Sequence, residues 1–399
     1  MGPLSIFLAL VILKQGTVVE YGLIVSGASF ATVLASIIWG GLMDRGLKRS
    51  IFLVTSYAGT ATFLSLMYLS HNVAVMASAY ILLNFFQAAS GPAANILIMQ
   101  LWHREEWPSV FGFFTYLGSL GTVSALVAST LWTTYLPVKT LILLLVPFSA
   151  ASAVMAFFSL KGVERIPLER EAMVMHRTPF INRFLATPTF FLRLPSKNDF
   201  KKFYKMLRNA FTRQTPLLYL CLFTFNLASG VFNTSFNPSL IRGRIPENLV
   251  FAVNIFAMAI QTIAMRRVGK NVSEEGERPT ALKGLGYRIA GYSAMAASAY
   301  FLTSVYLAVA SAFSYALAAG YAYSLFYVAT TSMVFRSLPK GHQGGMLGVV
   351  SALSGIGVFL GSFISGFFAL YAGYAITDIV AVAILAFTYT LLKGIQVAQ

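Results

Sequence analysis

The sequence is poor in charge. Only 11% of its 399 residues are charged, whereas 57% are hydrophobic and the mean hydropathy is +0.72. These values lie far outside the range of water-soluble domains. The sequence also lacks the alternating apolar and polar strands of about ten residues that build a membrane β-barrel. The chain is therefore predicted to consist of helices that span a bilayer.

Cysteine, histidine and clustered acidic residues are also scarce. Cys221 is the single cysteine, so an intramolecular disulfide is excluded and the redox compartment is not revealed. The four histidines fall in separate loops without the spacing of metal ligands: His71, His103, His176 and His342. A membrane-embedded transferase would cluster Asp or Glu near the interface to hold a metal and a phosphate, and no such cluster is present in the sequence. We predict no enzyme, no cofactor and no metal.

Apolar runs occupy most of the chain, and a run of about 20 residues suffices to cross the bilayer. We place twelve spans at 3–14, 21–43, 51–69, 73–101, 109–132, 138–160, 216–236, 248–265, 286–306, 308–335, 343–371 and 375–392. A long polar stretch divides them, which predicts an N-terminal six-helix half at 1–160, a basic cytoplasmic linker at 161–215 and a C-terminal half at 216–399.

Lysine and arginine fall almost entirely on one side of this topology. Of the 29 in the chain, the other side receives only Lys14, Lys139, Arg242 and Arg244. Cytoplasmic loops retain basic residues, so both termini are predicted to lie in the cytoplasm of a multi-pass protein of the cell membrane. The net charge of +16 is spread over several loops, which argues against a nucleic-acid interface.

The two halves repeat a pattern in which a basic loop precedes a glycine-rich helix. Arg104 precedes Gly112, Gly118 and Gly121, and Arg336 precedes the glycines of the eleventh span. Between the second and third spans the chain reads Gly41-Leu-Met-Asp44-Arg45-Gly-Leu-Lys48-Arg49. This resembles the G-x-x-x-D-R-x-x-R/K-R/K loop of the major facilitator superfamily. The resemblance covers essentially the whole chain and implies a transporter whose two halves rock around a substrate held near the midplane.

The resemblance implies a cytoplasmic gate formed by Gly41, Asp44, Arg45, Lys48 and Arg49. Asp44 is expected to contact the positive N-terminal end of the eleventh helix, near Gln343, and so to hold the halves together. Arg45 and Arg49 could add bonds to Glu105 or Glu106. Alternatively, the basic residues only fix orientation by contacting lipid headgroups, and this alternative stays open for Lys48.

The family lines its cavity with helices one, four, seven and ten. Polar residues on these spans are therefore the substrate-binding candidates: Asn84, Gln87, Asn95, Asn226, Asn233, Tyr323 and Tyr327. Buried amides in hydrocarbon need partners, so they line a water-filled cavity or bond between helices. The two tyrosines also fit a packed aromatic stripe.

Charged residues deep in a span usually mark an ion pathway or a counter-ion. We find none, because Lys14, Asp44 and Asp378 all lie near span ends. The arginine in the R-x-x-Q-G pattern of proton-coupled members is also missing from the fourth span. We therefore predict a secondary active or facilitative transporter, acting as a monomer, for a small neutral or amphiphilic solute. Its alternatives are a proton-coupled drug or metabolite exporter whose coupling residue lies outside the recorded sequence, and a receptor or scaffold without transport.

Two further expectations concern the linker and the first helix. Residues 198–211 alternate aromatic and aliphatic residues with bases at helical spacing, which indicates an amphipathic helix on the inner leaflet. A solvated linker helix or an extension of helix seven is the alternative. The first span, 3–14, would rise only about 18 Å, so we expect a shortened first helix with its front missing from the recorded chain.

Overall fold

The structure is a computed structural model that describes residues 2–43, 49–102, 107–160, 215–337 and 343–395. Every regular element in these ranges is helical. We call residues 2–160 the N-terminal half and residues 215–395 the C-terminal half. The predicted linker, including its amphipathic helix, lies outside the described residues up to 214, and Thr215 already begins a helix.

The N-terminal half contains seven α-helices and one short 3₁₀ turn at Val138–Thr140. The α-helices are α1 (Gly2–Gln15), α2 (Val18–Met43), α3 (Arg49–Leu69), α4 (Val73–Gln87), α5 (Ser90–Leu101), α6 (Trp107–Tyr135) and α7 (Leu141–Ser159). The fourth predicted span is divided into α4 and α5 because Pro92 lacks an N–H group and its ring clashes with the carbonyl of Ala88.

The C-terminal half is also helical throughout its described residues. Its α-helices are α8 (Thr215–Arg242), α9 (Glu247–Glu275), α10 (Glu277–Phe301), α11 (Ser304–Tyr315), α12 (Tyr323–Ser337), α13 (Gln343–Tyr371) and α14 (Tyr374–Gly394). A π-helical segment, Ala316–Ala322, joins α11 to α12 and completes the tenth predicted span.

The all-helical membrane fold is confirmed. Among the described residues nine helical segments are long and apolar enough to cross a membrane. The first helix has 14 residues, which corresponds to a length of about 21 Å.

One predicted loop is wrong. The polar residues 266–285 were expected to connect the eighth and ninth spans, but α9 continues to Glu275 and α10 begins at Glu277. The helices are separated only by Gly276, whose φ of 89° is a conformation that glycine adopts without steric cost. Hydropathy marks the part of a helix that sits in lipid, and Lys, Glu and Arg are good helix formers that extend the helix beyond it.

Successive spans run in opposite directions, with α4 and α5 forming one span and α11 and α12 another, so each end of the bundle collects alternate connections. We call the end where α1 finishes the Lys14 end and the end where α2 finishes the Met43 end. Sequence reasoning assigns the Met43 end to the cytoplasm.

Helix α13 lies between α2 and α8, and it approaches both closely through glycine. A Cβ atom added to Gly22 of α2 would lie 2.9 Å from the Gly366 Cα atom of α13. A Cβ atom added to Gly361 on another side of α13 would lie 3.0 Å from the Gly230 Cα atom of α8. Small residues permit such close approach of transmembrane backbones, so α13 binds the two halves to each other.

Helix α1 is enclosed by other helices. Its residues Ile6, Phe7, Leu8 and Ile12 are almost fully buried, and it contacts α6 in its own half and both α8 and α9 in the other. A helix that is apolar on every side is expected to be buried in this way.

Candidate functional site

The polar contacts between the two halves lie toward the Lys14 end of the bundle, as far as the described residues show. Lys14 forms an ion pair with Glu247 at the start of α9. The neighbouring Asn248 donates a hydrogen bond from Nδ2 to Thr134 Oγ1 at 3.4 Å. Deeper in the bundle, the Ser26 hydroxyl donates to the carbonyl oxygen of Phe359 at 3.3 Å. These contacts close the interface at the Lys14 end.

Two clefts among the described residues lie beside the contact of α6 with α9, between mid-bundle and the Met43 end. One has a volume of about 370 Å³ and is lined by Gly118, Thr122 and Gln261 among others. The other has a volume of about 490 Å³ and reaches Arg266 and Arg267. Both clefts border Thr262, so they flank one contact between the halves.

The predicted gate lies mostly outside the described residues. Gly41 belongs to α2, whereas Asp44, Arg45 and Lys48 fall in the undescribed range 44–48. Arg49 is the first residue of α3, but its side chain is not described. The expected partner helix α13 begins at Gln343. The gate therefore stays a prediction.

The candidates on α4 and α5 occupy a kinked part of the N-terminal half. Asn84 Nδ2 donates to the carbonyl oxygen of Tyr80 on the same helix at 2.8 Å. Gln87 is the last residue of α4, and its Oε1 atom is buried without a hydrogen-bond partner in the described structure. Asn95 lies in α5, and its side chain is not described. Gln87 is thus the candidate here with an unused acceptor.

The two candidates on α8 differ in their surroundings. Asn226 Nδ2 donates to Leu222 O at 2.7 Å within the helix, and its Cβ atom would lie 3.2 Å from a Cβ added to Gly357 of α13. Asn233 is exposed. The packing interpretation therefore fits Asn226 better than a role in the cavity.

Tyr323 and Tyr327 form an aromatic ladder on α12. Their ring centroids are 5.5 Å apart and their planes are nearly parallel. Tyr323 also stacks on Phe225 of α8, with centroids 6.3 Å apart. Tyr327 is 47% exposed, so the ladder runs from an accessible surface toward the interior.

A buried arginine lies behind this ladder. Arg288 was counted with the basic residues of the cytoplasmic side although it is the third residue of the predicted span 286–306, and the expectation that no charged residue lies deep in a span is wrong. The residue sits near the middle of α10 and is only 2% exposed. The hydropathy pattern misplaced it because α10 begins well before the predicted span at 286. The spacing of Arg288 and Tyr292, four residues apart and so on one helical face, was the available signal.

The guanidinium of Arg288 is held by neutral groups. Nε and Nη2 donate to the Tyr292 hydroxyl at 3.1 and 2.7 Å, and Nη2 also donates to Ser229 Oγ at 2.9 Å. Its central carbon lies 4.5 Å from the centroid of the Phe225 ring and 5.6 Å from that of Tyr323. In the described part of the chain no carboxylate forms an ion pair with it.

A second charged residue is buried on α14. Asp378 is near the start of its helix, as expected, but it has no solvent exposure. Ser235 of α8 donates a hydrogen bond to Asp378 Oδ1 at 2.9 Å. The other oxygen, Oδ2, is buried without a hydrogen-bond partner among the described residues.

Comparison with curated protein sequences finds no match. Solved structures similar to this chain include a mutant of the nucleoside transporter NupG, at 15% identity, with a TM-score of 0.70 and coverage of 99% of this chain and 95% of that chain. The nucleoside transporter NupG itself gives 13% identity, a TM-score of 0.65 and coverage of 100% and 98%. A POT family transporter in complex with a thioalcohol-conjugated peptide is 14% identical, with a TM-score of 0.66 and coverage of 99% of this chain and 94% of that chain.

At these identities the structural likeness establishes the fold and nothing about the substrate. The sequence itself supplies the family, because the family model described as Major Facilitator Superfamily matches residues 2–318. The match spans most of the chain and includes the Asp44 loop that first indicated the family. The chain belongs to the major facilitator superfamily of membrane transporters.

Proposed function

We propose that the protein carries a small solute across the cell membrane by alternating access, as a secondary active or facilitative transporter. The supporting observation is the asymmetry of the contact between its halves. Lys14 with Glu247 and Thr134 with Asn248 join the halves at one end, whereas clefts open beside the contact of α6 with α9 toward the other. A carrier that closes one end at a time needs this kind of asymmetry.

The ion pair in this closing contact is weak enough to break in every cycle. The Lys14 and Glu247 side chains are 59% and 32% exposed, and pairs in such positions contribute about 1 kcal/mol or less. In the opposite state, the halves would be held at the Met43 end by Gly41, Asp44, Arg45, Lys48 and Arg49. The divisions at 1–160, 161–215 and 216–399 fit this scheme, with a basic linker between the moving halves.

The orientation proposed for this carrier has the Met43 end and both termini in the cytoplasm, on the distribution of Lys and Arg. The carrier works as a monomer, since both halves belong to one chain. It is proposed to need no cofactor and to have no enzymatic activity. Asn84, Gln87, Tyr323 and Tyr327 remain the candidates for contact with the solute. The expectation of a neutral solute loses its main support, because it rested on the absence of a buried charge.

Distances between spin labels test the alternating motion. One pair, at Leu69 and Tyr371, reports on the Lys14 end, and both positions are well exposed at 72% and 82%. A second pair, at Phe158 and Lys283, reports on the Met43 end. Cys221 is replaced by alanine so that only the chosen sites are labelled.

In proteoliposomes we expect two distance populations for each pair, with the long distance at one end accompanying the short distance at the other. Solute counterflow with a metabolite panel supplies the matching measure of transport. A single rigid population at both ends, together with no counterflow of any panel member, would favour a receptor or scaffold.

Proton coupling is a second candidate, and Asp378 is the observation that favours it. A carboxyl group that is buried between α8 and α14, and whose second oxygen has no partner among the described residues, is a group able to bind and release a proton within the spans. The coupling residue would then lie inside the sequence. Uptake driven by a pH gradient, with no added solute gradient, would support this version, and uptake indifferent to the gradient would support facilitated diffusion.

A further inference from the structure

The guanidinium of Arg288 is a positive charge inside the C-terminal half that forms no ion pair with a carboxylate of the described residues. It is 2% exposed and is surrounded by Phe225, Tyr292 and Tyr323. Burying a charge without an opposite charge is costly, and neutral residues could cross-link α8 and α10 at lower cost. Ionisable residues at such depth usually face a substrate or ion pathway. We therefore expect Arg288 to bind a negatively charged ligand.

The hydrogen bonds of Arg288 leave one part of the guanidinium available. Of its five N–H groups, those on Nε and Nη2 have acceptors in Tyr292 and Ser229. Among the described residues, Nη1, which carries two, has only the Ala318 carbonyl oxygen as an acceptor, at 3.5 Å and so at the limit of a hydrogen bond. An oxyanion could accept hydrogen bonds from Nη1 without displacing the stronger bonds of Nε and Nη2 to Tyr292 and Ser229.

The cover over this charge adjoins a π-helical segment. Tyr323, whose ring lies over the guanidinium, is the first residue after the π-helical segment Ala316–Ala322. The same segment supplies the weak acceptor Ala318. π-helical turns are rare and occur often at functional sites. A change in this segment would move the tyrosine and free Nη1 together.

We propose that Arg288 binds the carboxylate of the transported solute, and that this solute is a monocarboxylate with an apolar or aromatic body. A single guanidinium neutralises one negative charge, and its planar fork suits a carboxylate. A phosphate dianion would keep one charge unbalanced among aromatic rings. Tyr327, which is 47% exposed, and Tyr323 form the aromatic ladder that would carry the apolar body inward.

This inference rests on the proposed transport function, so its test measures binding and transport separately. Purified full-length protein in detergent is titrated by calorimetry with straight-chain monocarboxylates from acetate to decanoate and with 3-phenylpropionate, each beside its uncharged amide. We expect at least one longer acid or 3-phenylpropionate to bind, and its amide to bind at least about 30-fold more weakly.

Two variants locate the site. Arg288→Gln should weaken binding of the acid by about 30-fold or more and leave binding of the amide unchanged, because only the acid uses the charge. Arg288→Lys should bind the acid with intermediate affinity, since it keeps the charge but not the fork. Lys283→Gln removes an exposed charge from the same helix and should bind as the native protein does. If Arg288→Gln does not fold, the comparison of acid with amide on the native protein decides the question.

The results separate the two hypotheses. Equal affinity for acid and amide, binding of none of the acids, or full acid binding by Arg288→Gln each overturns the assignment to Arg288. Counterflow of neutral solutes in proteoliposomes alongside any of these results would leave the transporter proposal standing. Acid binding that depends on Arg288, without counterflow of the same acid, would support the site and overturn transport of that ligand.

Discussion

Lys14 at the end of α1 and Glu247 at the start of α9 form an ion pair across the interface between the two halves. Lys14 lies on the side of the topology that receives few basic residues, so its position is not explained by the rule that retains cations in the cytoplasm. Glu247 is in the first turn of α9, where a negative charge is also favoured by the helix dipole. The pair thus links the chain's first helix to the C-terminal half.

Reversing one charge of this pair should open the Lys14 end. Lys14→Glu or Glu247→Lys places like charges together, and we expect the spin-label pair at Leu69 and Tyr371 to shift toward its long distance. The double exchange should restore the native distribution. Lys139→Glu, at the same end of the bundle, should not change it. An unaltered distribution in both single variants would show that the ion pair does not hold the halves together.

Gly22→Ala should destabilise the contact between α2 and α13. The added Cβ atom would lie 2.9 Å from the Gly366 Cα atom, and a backbone atom cannot move aside as a flexible side chain can. We expect a loss of about 1–3 kcal/mol, seen as a lower midpoint of thermal unfolding in detergent.

Gly121→Ala is the matched control, because among the described residues no atom outside its own turn of helix lies within 4 Å of the added Cβ position. Alanine is favoured over glycine in a helix by about 1 kcal/mol, so this variant should be as stable as the native protein or slightly more so. Equal midpoints for both variants would contradict the close approach of α2 and α13.

Asp44→Asn should abolish transport while leaving insertion and thermal stability unchanged. The substitution keeps the shape of the side chain and removes the charge proposed to meet the N-terminal end of α13. Lys48→Gln tests the alternative role in orientation and should retain most of the transport rate. Native counterflow by Asp44→Asn would remove the gate from the mechanism.

Asp378→Asn should fold normally, because its amide oxygen can still accept the hydrogen bond from Ser235. If Asp378 couples transport to protons, this variant should lose uptake driven by a pH gradient and keep counterflow, which needs no gradient. Ser235→Ala removes only the hydrogen-bond donor and should keep gradient-driven uptake. Gradient-driven uptake at the native rate in Asp378→Asn would rule out this residue as the coupling group.

Tyr292→Phe should destabilise the C-terminal half. The phenylalanine ring can keep the stack on Phe232, where the centroids are 3.7 Å apart, but Nε of Arg288 would lose the Tyr292 hydroxyl. Hydrogen bonds to charged groups contribute about 1.5–3 kcal/mol, and the thermal midpoint should fall accordingly. Tyr300→Phe, at a position 76% exposed, should leave it unchanged.

Hydropathy predicted the apolar part of each helix. It did not predict the ends of helices that continue past this apolar part. The connection between α9 and α10 was predicted as a loop because its residues are polar, yet polarity does not prevent a helix from continuing past the membrane. Arg288 was misassigned for the same reason. A charge near the start of an apolar run belongs equally well to a loop or to the middle of a longer helix, and only packing against α8 and the π-helical segment decides.

The site candidates show a second limit of the sequence. Asn84, Asn226 and Gln87 are all polar residues in apolar helices, and their pattern predicts that they face other helices or a cavity. It does not distinguish Asn226, which bonds to its own helix and packs on α13, from Gln87, whose Oε1 atom has no partner among the described residues. That difference depends on neighbours far away in the chain.

The burial of α1 has a consequence for biogenesis. This helix leaves the ribosome early, yet α8 and α9, which contact it, are made only after residues 215–275 have been synthesised. In water such a delay would expose Phe7 and Leu8 to aggregation, but lipid tails are as apolar as these side chains and solvate the helix equally well. The bilayer can therefore hold α1 while synthesis proceeds, and the final step of assembly is its transfer from lipid contacts to protein contacts.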